Sequence, residues 1–306
     1  MEERIDHVVM IEPQWQRLWE KSAIGSRIEG GGLKLYPEEV IFVHIHRHQE
    51  LPNSNWISDH MLKDPDLEDK YCILESLRVP GNLIQLYPES DACIGTWALR
   101  WHKENHPDRD PAIAEIRWHR ALDSIDIHEL YTWCNKVLEK GRLPEVLVID
   151  NEGSIVTYEL DNINPQASNI DSNNYDNLGI QTRWNLRHSY HENLIIHGKS
   201  DGIITDTLLD LINRGLTIRS GFKFGTRWRV YDGPVGEDHA PWLVDCESDA
   251  PVDWTHACLN ARLASGVNKH YIVGIKINDD KENIRIEYLE FRRPPSDRRW
   301  TNMYRY

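Results

Sequence analysis

The chain has 306 residues, 40% of them hydrophobic, with 12 Trp, 12 Tyr and a formal net charge of −14. That length suits two domains, and the apolar content is enough to bury real cores, which excludes a disordered protein. No window approaches the roughly 18 uncharged apolar residues of a membrane helix. The five scattered cysteines form no C-x-x-C pair, which argues for a reduced compartment and against zinc.

Taken in order, MEERIDHVVM carries no signal-peptide pattern, so a cytoplasmic protein is expected. In GGGLKLYPEEVIFVHIHRH (30–48) a proline and two glutamates stand where a helix would begin, near its positive end. The His44–His48 cluster has no cysteine or carboxylate framework, so a surface or packing role outweighs metal binding, and no metal site is expected. Strand GTWALRW (95–101) leads to DIHELYTWCNKVLEKGRLPEVLVIDNEGSIVTYELDNI (126–163). The stretch 161–179 is rich in Asn, Ser and Asp without apolar period and reads as a linker. Then TDTLLDLINRG (205–215) reads as a helix capped by Thr205/Asp206 and stopped at Gly215, followed by TIRSGFKFGTRWRVY as one basic, aromatic strand. The chain continues through a polar loop to HAPWLV and VDWTHACLNARLASGVNKHYIVGIKINDDKENIRIEYLEF (252–291).

Both halves run strand, polar loop, helix, Gly, buried apolar strand, acidic turn, alternating strand, which reads as a duplicated α/β unit. The copies differ informatively. Matching Gly225-Thr226 to Gly95-Thr96 sets Tyr231 against Trp101, and matching Gly266 to Gly141 sets Lys269 against Pro144 and Arg262 against Val137. His239 meets the region of Asp110 and Pro111. Tyr231, His239 and Lys269 are lost together, to residues unable to do proton chemistry, which suggests one working site and one retired copy. Charge agrees with a locally basic face: residues 201–306 hold 15 Lys+Arg and 16 Asp+Glu, leaving −13 of the −14 to residues 1–200.

Alone, each of the three is weak: a strand-end tyrosine usually packs, a loop histidine is usually inert, and a lysine before an apolar strand is usually a solvated flank. Together they suit RNA cleavage without a metal, in which a 2′-OH attacks the adjacent phosphorus. That reaction needs a base, an acid for the departing 5′-oxygen and a cation for the phosphorane. Histidine, ionising near about pH 6.5, suits the acid, and lysine the cation. A phenol, ordinarily ionising near about pH 10, serves as a base only beside cations, and Arg229 and Lys269 are at hand.

GLTIRSGFKFGTRWRVYDGP, EDHAPWLV and RLASGVNKHYIVGIKI closely resemble the catalytic half of archaeal tRNA intron endonucleases, and the likeness covers about residues 205–293. The resemblance implies a catalytic triad of Tyr231 as general base, His239 as general acid and Lys269 as transition-state stabiliser. It implies no cofactor and no metal. The substrate would be precursor tRNA, cut at both bulges of a bulge–helix–bulge to leave 2′,3′-cyclic phosphate and 5′-hydroxyl ends. It further implies two arginines that pinch a bulge base: Arg262 for the first, and Arg292, or nearly as well Arg293, for the second, against a solvated basic tail. The implied fold is mixed α+β (α/β) and duplicated. A degenerate repeat, 1–165, has a small N-terminal α/β lobe (about 1–90) and a mixed-sheet nuclease-like domain (about 91–165). After a 166–179 linker comes a catalytic repeat, 180–306, with its lobe at about 180–222 and its catalytic domain at about 223–306. One intact triad for two cuts implies a homodimer, with Asp150-Asn151-Glu152 and Asp279-Asp280 as acidic contact turns or plain hairpin tips.

Two rival readings stay open. A Mg²⁺-dependent nuclease of restriction-enzyme type needs an Asp and a Glu-x-Lys, but Lys276 follows Gly274-Ile275 and EVLVID has no lysine. A non-catalytic RNA-binding subunit would fit the first copy alone.

Overall fold

The computed structural model describes residues 8–10, 14–167, 202–233, 235–236, 239–280 and 283–300. Almost all of the linker expected at 166–179, and the start of the second small lobe at 180–201, lie outside the described residues. Two compact units form: 1–123 with 136–159 and 294–306, and 124–135 with 160–293. The described residues hold seven α-helices and a mixed sheet, a mixed α+β fold as expected. No helix among them is long and apolar enough to cross a membrane.

The first unit opens with a small antiparallel sheet of β1 (Val8–Met10), β3 (Leu33–Leu35) and β2 (Ser26–Arg27), with α1 (Gln14–Ser22) between β1 and β2. Helix α2 (Pro37–Arg47) begins at the proline, as expected. Its two glutamates do more than face a helix end, because both are buried. Glu39 accepts hydrogen bonds from the amides of Gly25 (2.9 Å) and Tyr36 (3.2 Å) and pairs with Arg78, itself buried (3.3 Å). An isolated charge there would cost several kcal/mol, so the partners are obligatory. From α2, His44 bonds the Gln49 carbonyl (2.7 Å) and His46 the Glu75 carboxylate (2.8 Å). Helices α3 (Trp56–Lys63) and α4 (Leu67–Arg78) follow. Strands β4 (Leu83–Leu86), β5 (Ala98–Trp101), β6 (Ala114–Arg120), β7 (Leu143–Ile149) and β8 (Ile155–Ile163) then pair in chain order. All pairings are antiparallel except β6 with β7, whose parallel step is spanned in the chain by α5 (Ile127–Glu139), most of which, like the end of β8, is counted in the second unit.

The second unit repeats that succession. Helix α6 (Ile203–Asn213) precedes β9 (Thr217–Ser220), β10 (Trp228–Tyr231) and β11 (Trp242–Cys246). Helix α7 (Trp254–Gly266) spans the one parallel step, from β11 to β12 (His270–Asp280), and β13 (Asn283–Arg292) returns antiparallel. Strand alternation sends neighbouring residues to opposite faces. Val230, Val244, Ile272, Ile286 and Tyr288 pack with Leu211 of α6. Tyr271 and Phe291 turn the other way, where Trp254 of α7 meets Phe291 edge-on at 6.2 Å. Gly274 lies where α6 crosses: a Cβ there would come within 2.8 Å of the Thr207 methyl.

Two expectations are corrected. Helix α6 starts two residues early, at Ile203 after Gly202, so Thr205 and Asp206 sit in its first turn instead of capping it. TIRSGFKFGTRWRVY is not one strand. It is a hairpin, β9 and β10, with a 3₁₀ turn at Phe222–Phe224 between them. Gly225 adopts φ +72°, and a Cβ on Gly221 would stand 2.4 Å from Thr226 Oγ1 and 2.6 Å from its carbonyl oxygen. Only glycine tolerates both demands, so the chain reverses there.

Candidate active site

The topology of the second unit brings three separated segments to one end of its sheet. Tyr231 is the last residue of β10, which runs antiparallel to β11 with Val230 opposite Trp242. His239 lies three residues before β11. Lys269 lies one residue before β12, and the parallel register sets His270 beside Trp242. A carbonyl confirms the junction, since His270 N–H donates to Pro241 O at 2.8 Å. Asn268, at φ 55°, makes the left-handed turn that ends α7 and delivers Lys269 to the strand.

Alternation puts Arg229, Tyr231 and Lys269 on one face. Arg229 and Tyr231 are on the side of Leu243 and Tyr271, the side covered by α7. Lys269 shares that parity. Its ammonium donates to the carbonyl of Ala240, the residue after His239, at 2.5 Å, and lies 5.9 Å from the Phe224 ring. The Arg229 guanidinium stands 5.9 Å from the Tyr231 ring. Burial, and then the like charge of Arg229, hold the Lys269 amine below the ordinary lysine range. Arg229 thus touches the surroundings of both Tyr231 and Lys269. Tyr231 is buried and His239 is exposed. Among the described residues His239 makes no hydrogen bond or ion pair. His270, next in sequence to Lys269, belongs elsewhere: its Nδ1 bonds Glu290 (2.6 Å), which raises its pKa.

The three arginines are placed differently. Arg262 is exposed on α7, a little over one turn before its end. Arg292 ends β13 and pairs with Asp161 at 3.5 Å. Arg293 is exposed just beyond it. The side chains of Asp279 and Asp280 lie outside what is described. In the first unit, Trp101 closes β5 as Tyr231 closes β10, and like it is buried, but its indole N–H is committed to the Asp110 carbonyl (2.8 Å). Pro144 stands in β7, in the strand that holds the place of β12.

Sequence reading did not single out Phe224 beside the Lys269 ammonium, or the Ala240 carbonyl that fixes it. The two glycines around FKF were the available signal. Nor did it find Asp245, a carboxyl 3% exposed that accepts from Arg227 N–H (2.7 Å) and Tyr271 O–H (3.0 Å). No cluster of three or more His, Cys, Asp or Glu side chains placed to hold a metal occurs among the described residues.

The second unit is thus an α/β domain that gathers an amine, a phenol and an imidazole-bearing loop at one end of its sheet. Comparison with known proteins makes the class specific. Residues 206–288 match the family model of the tRNA intron endonuclease catalytic C-terminal domain. A tRNA-splicing endonuclease of Thermoplasma volcanium is 28% identical over 171 residues, covering 50% of this chain and 55% of that protein. Those of Methanopyrus kandleri and Methanothermobacter thermautotrophicus are 34% identical over 84 residues and 36% over 90, covering 27% and 28% of this chain and 46% and 51% of theirs. The chain spans about half the length of these curated relatives.

Proposed function

We propose that the chain is an endoribonuclease that excises introns from precursor tRNA, cutting both bulges of a bulge–helix–bulge without a metal. Tyr231 takes the proton of the 2′-OH, and the freed oxygen attacks the adjacent phosphorus. The Lys269 ammonium offsets the charge that builds on the phosphorane. His239 gives a proton to the departing 5′-oxygen as the P–O bond breaks. The products are a 2′,3′-cyclic phosphate and a 5′-hydroxyl. Unpaired bulge nucleotides can be splayed onto such a site, whereas the A-form groove cannot be entered.

The observation that carries this reading is the Lys269 contact with Ala240, beside His239, together with Arg229 flanking both Lys269 and Tyr231. Arg262 and Arg292 or Arg293 supply the planes that hold a bulge base. Arg293 has the more exposed position of the latter two, while Arg292 is engaged by Asp161. The repeats run 1–165 and 180–306, the first without a working site. This is supported by the shared order of antiparallel and parallel pairings in the two halves and by Trp101 and Pro144 at the matching places. One triad per chain and two cuts per intron make the active form a homodimer, working in the cytoplasm on precursor tRNA.

The test is the purified full chain with a bulge–helix–bulge RNA. The wild type cuts unaided, and His239→Ala lowers the rate by about 10²–10⁴ with RNA affinity kept. A wild type that binds and never cuts would make the chain a non-catalytic RNA-binding subunit.

A further inference from the structure

A cleft of about 670 Å³, whose lining does not include Lys269, opens in the second unit beside the Phe222–Phe224 turn, and the mechanism above does not use it. Its lining includes Phe222, Arg227, Asp245, Val252, His256 and Asn260. Phe222 is 88% exposed. Its ring is not on a loose loop. The turn is closed by Phe224 N–H to Gly221 O (2.7 Å) and Gly221 N–H to Arg227 O (3.0 Å), and Gly221 is pressed against Thr226 and Trp228 too closely to admit a Cβ. A large aromatic held out over a cleft by a stiff turn is a surface prepared for a flat partner, with the ordering cost already met in folding.

The cleft wall has edge chemistry to match. On α7, His256 and Asn260 are one turn apart and so lie on the same side of the helix. His256, which lines the cleft, uses Nδ1 on Asp253 (2.7 Å), so Nε2 is its second polar atom. Asn260 offers an amide while bonding the Tyr271 side chain. Arg227 is locked to Asp249, with Nη2 to Oδ1 at 2.8 Å, so the basic group there is neutralised and a phosphate is not the fitting ligand. An apolar peptide is no better served by a floor of carboxylates, amide and imidazole. A π-face with hydrogen-bonding groups at its rim is the composition that receives an unpaired nucleobase. Lys223 is exposed next to Phe222, where a sugar–phosphate backbone would pass.

Position ties the cleft to the cut. Phe224 of the same turn packs against the Lys269 ammonium. Arg227, one residue before β10, lies four residues from Tyr231 along extended backbone, about 13 Å at ~3.3 Å per residue. We infer that Phe222 and the cleft between the 221–227 turn and α7 form a second base-binding subsite, which stacks an unpaired nucleotide near the scissile phosphate but not at it. This rests on the proposed RNA-cleaving function.

The test is an anisotropy titration of the full chain, as wild type, Phe222→Ala and Phe222→Trp, against a bulge–helix–bulge RNA. The same RNA is also made with each unpaired nucleotide in turn replaced by an abasic residue, and sedimentation is run in parallel. Phe222→Ala is expected to weaken binding about 5- to 150-fold, as for loss of one stacked base, and Phe222→Trp to restore it. One abasic position should abolish the difference between wild type and Phe222→Ala. If wild type binds and cuts while Phe222→Ala binds equally well, the subsite is overturned and the proposed function stands. If the loss is not restored by Trp, or is the same for every abasic RNA, stacking is overturned. A Phe222→Ala chain that changes its sedimentation would make the ring a contact with a second copy, which also overturns the subsite. A wild type that neither binds nor cuts the RNA overturns the function and the subsite together.

Discussion

Replacing Asp245 by asparagine removes a buried carboxyl from β11, the strand that follows the His239 loop. The carboxyl is 3% exposed, and burial pushes its pKa up from 3.8 to about 6, against the pull of the Arg227 amide and the Tyr271 hydroxyl. Between pH 3.8 and about 6 the folded chain therefore holds a proton that the unfolded chain releases. The stability this group contributes is fully present below the unfolded value and is lost as pH rises through about 6. At 1.36 kcal/mol per pH unit, the span amounts to about 3 kcal/mol. Asparagine keeps the shape and an acceptor for Arg227 N–H but never ionises. Urea unfolding of wild type and Asp245→Asn, followed from pH 4 to pH 8, should show near-equal stability at the acid end and a variant more stable by about 2–3 kcal/mol at pH 8. A gap that does not change with pH, or a variant less stable at pH 8, would show that Arg227 and Tyr271 outweigh burial and refute the reasoning.

Two further outcomes follow from the site. Lys269 must be charged to act, and its pKa lies below the ordinary 10.5, so cleavage should fall off with rising pH earlier than an unperturbed lysine allows. Arg229→Gln removes the like charge and should move that alkaline limb to higher pH, read from single-turnover rates across pH; an unmoved limb would remove Arg229 from the field at Lys269. Arg262→Ala removes one stacking plane and should cost about 1–3 kcal/mol in cleavage efficiency, and unchanged kinetics would take Arg262 out of the site.

What could be read from the sequence was what is local or periodic. The buried strands, the α7 helix and the turn that delivers Lys269 all follow from apolar runs bounded by turn residues, and β7, β8, β12 and β13 lie where those runs placed them. The hairpin at Gly221–Gly225 was hidden because alternating aromatic and basic residues have the period of a strand. Its reversal depends on close backbone approach and a positive φ, which composition does not display. Glu38 and Glu39 looked like charges favouring a helix start. Their burial, and the grip of Glu39 on Gly25 and Arg78, join positions 14 and 39 residues apart. Arg292 read as the second base-pinching arginine, against a solvated basic tail, and only the fold reveals Asp161 as its partner. The Tyr231 and Lys269 positions were legible because each sits at a strand boundary, with His239 in the loop three residues before β11, and the register of β10, β11 and β12 then sets those boundaries side by side.

The most direct measurement is end-group analysis of the products made from a precursor tRNA by the full chain in excess EDTA. Both bulges should be cut, with 2′,3′-cyclic phosphate on each upstream fragment and 5′-hydroxyl on each downstream one. Cleavage that stops when divalent ions are removed, or that leaves 5′-phosphate ends, would contradict proton transfer by Tyr231 and His239, with Lys269 offsetting the charge, as the source of the chemistry.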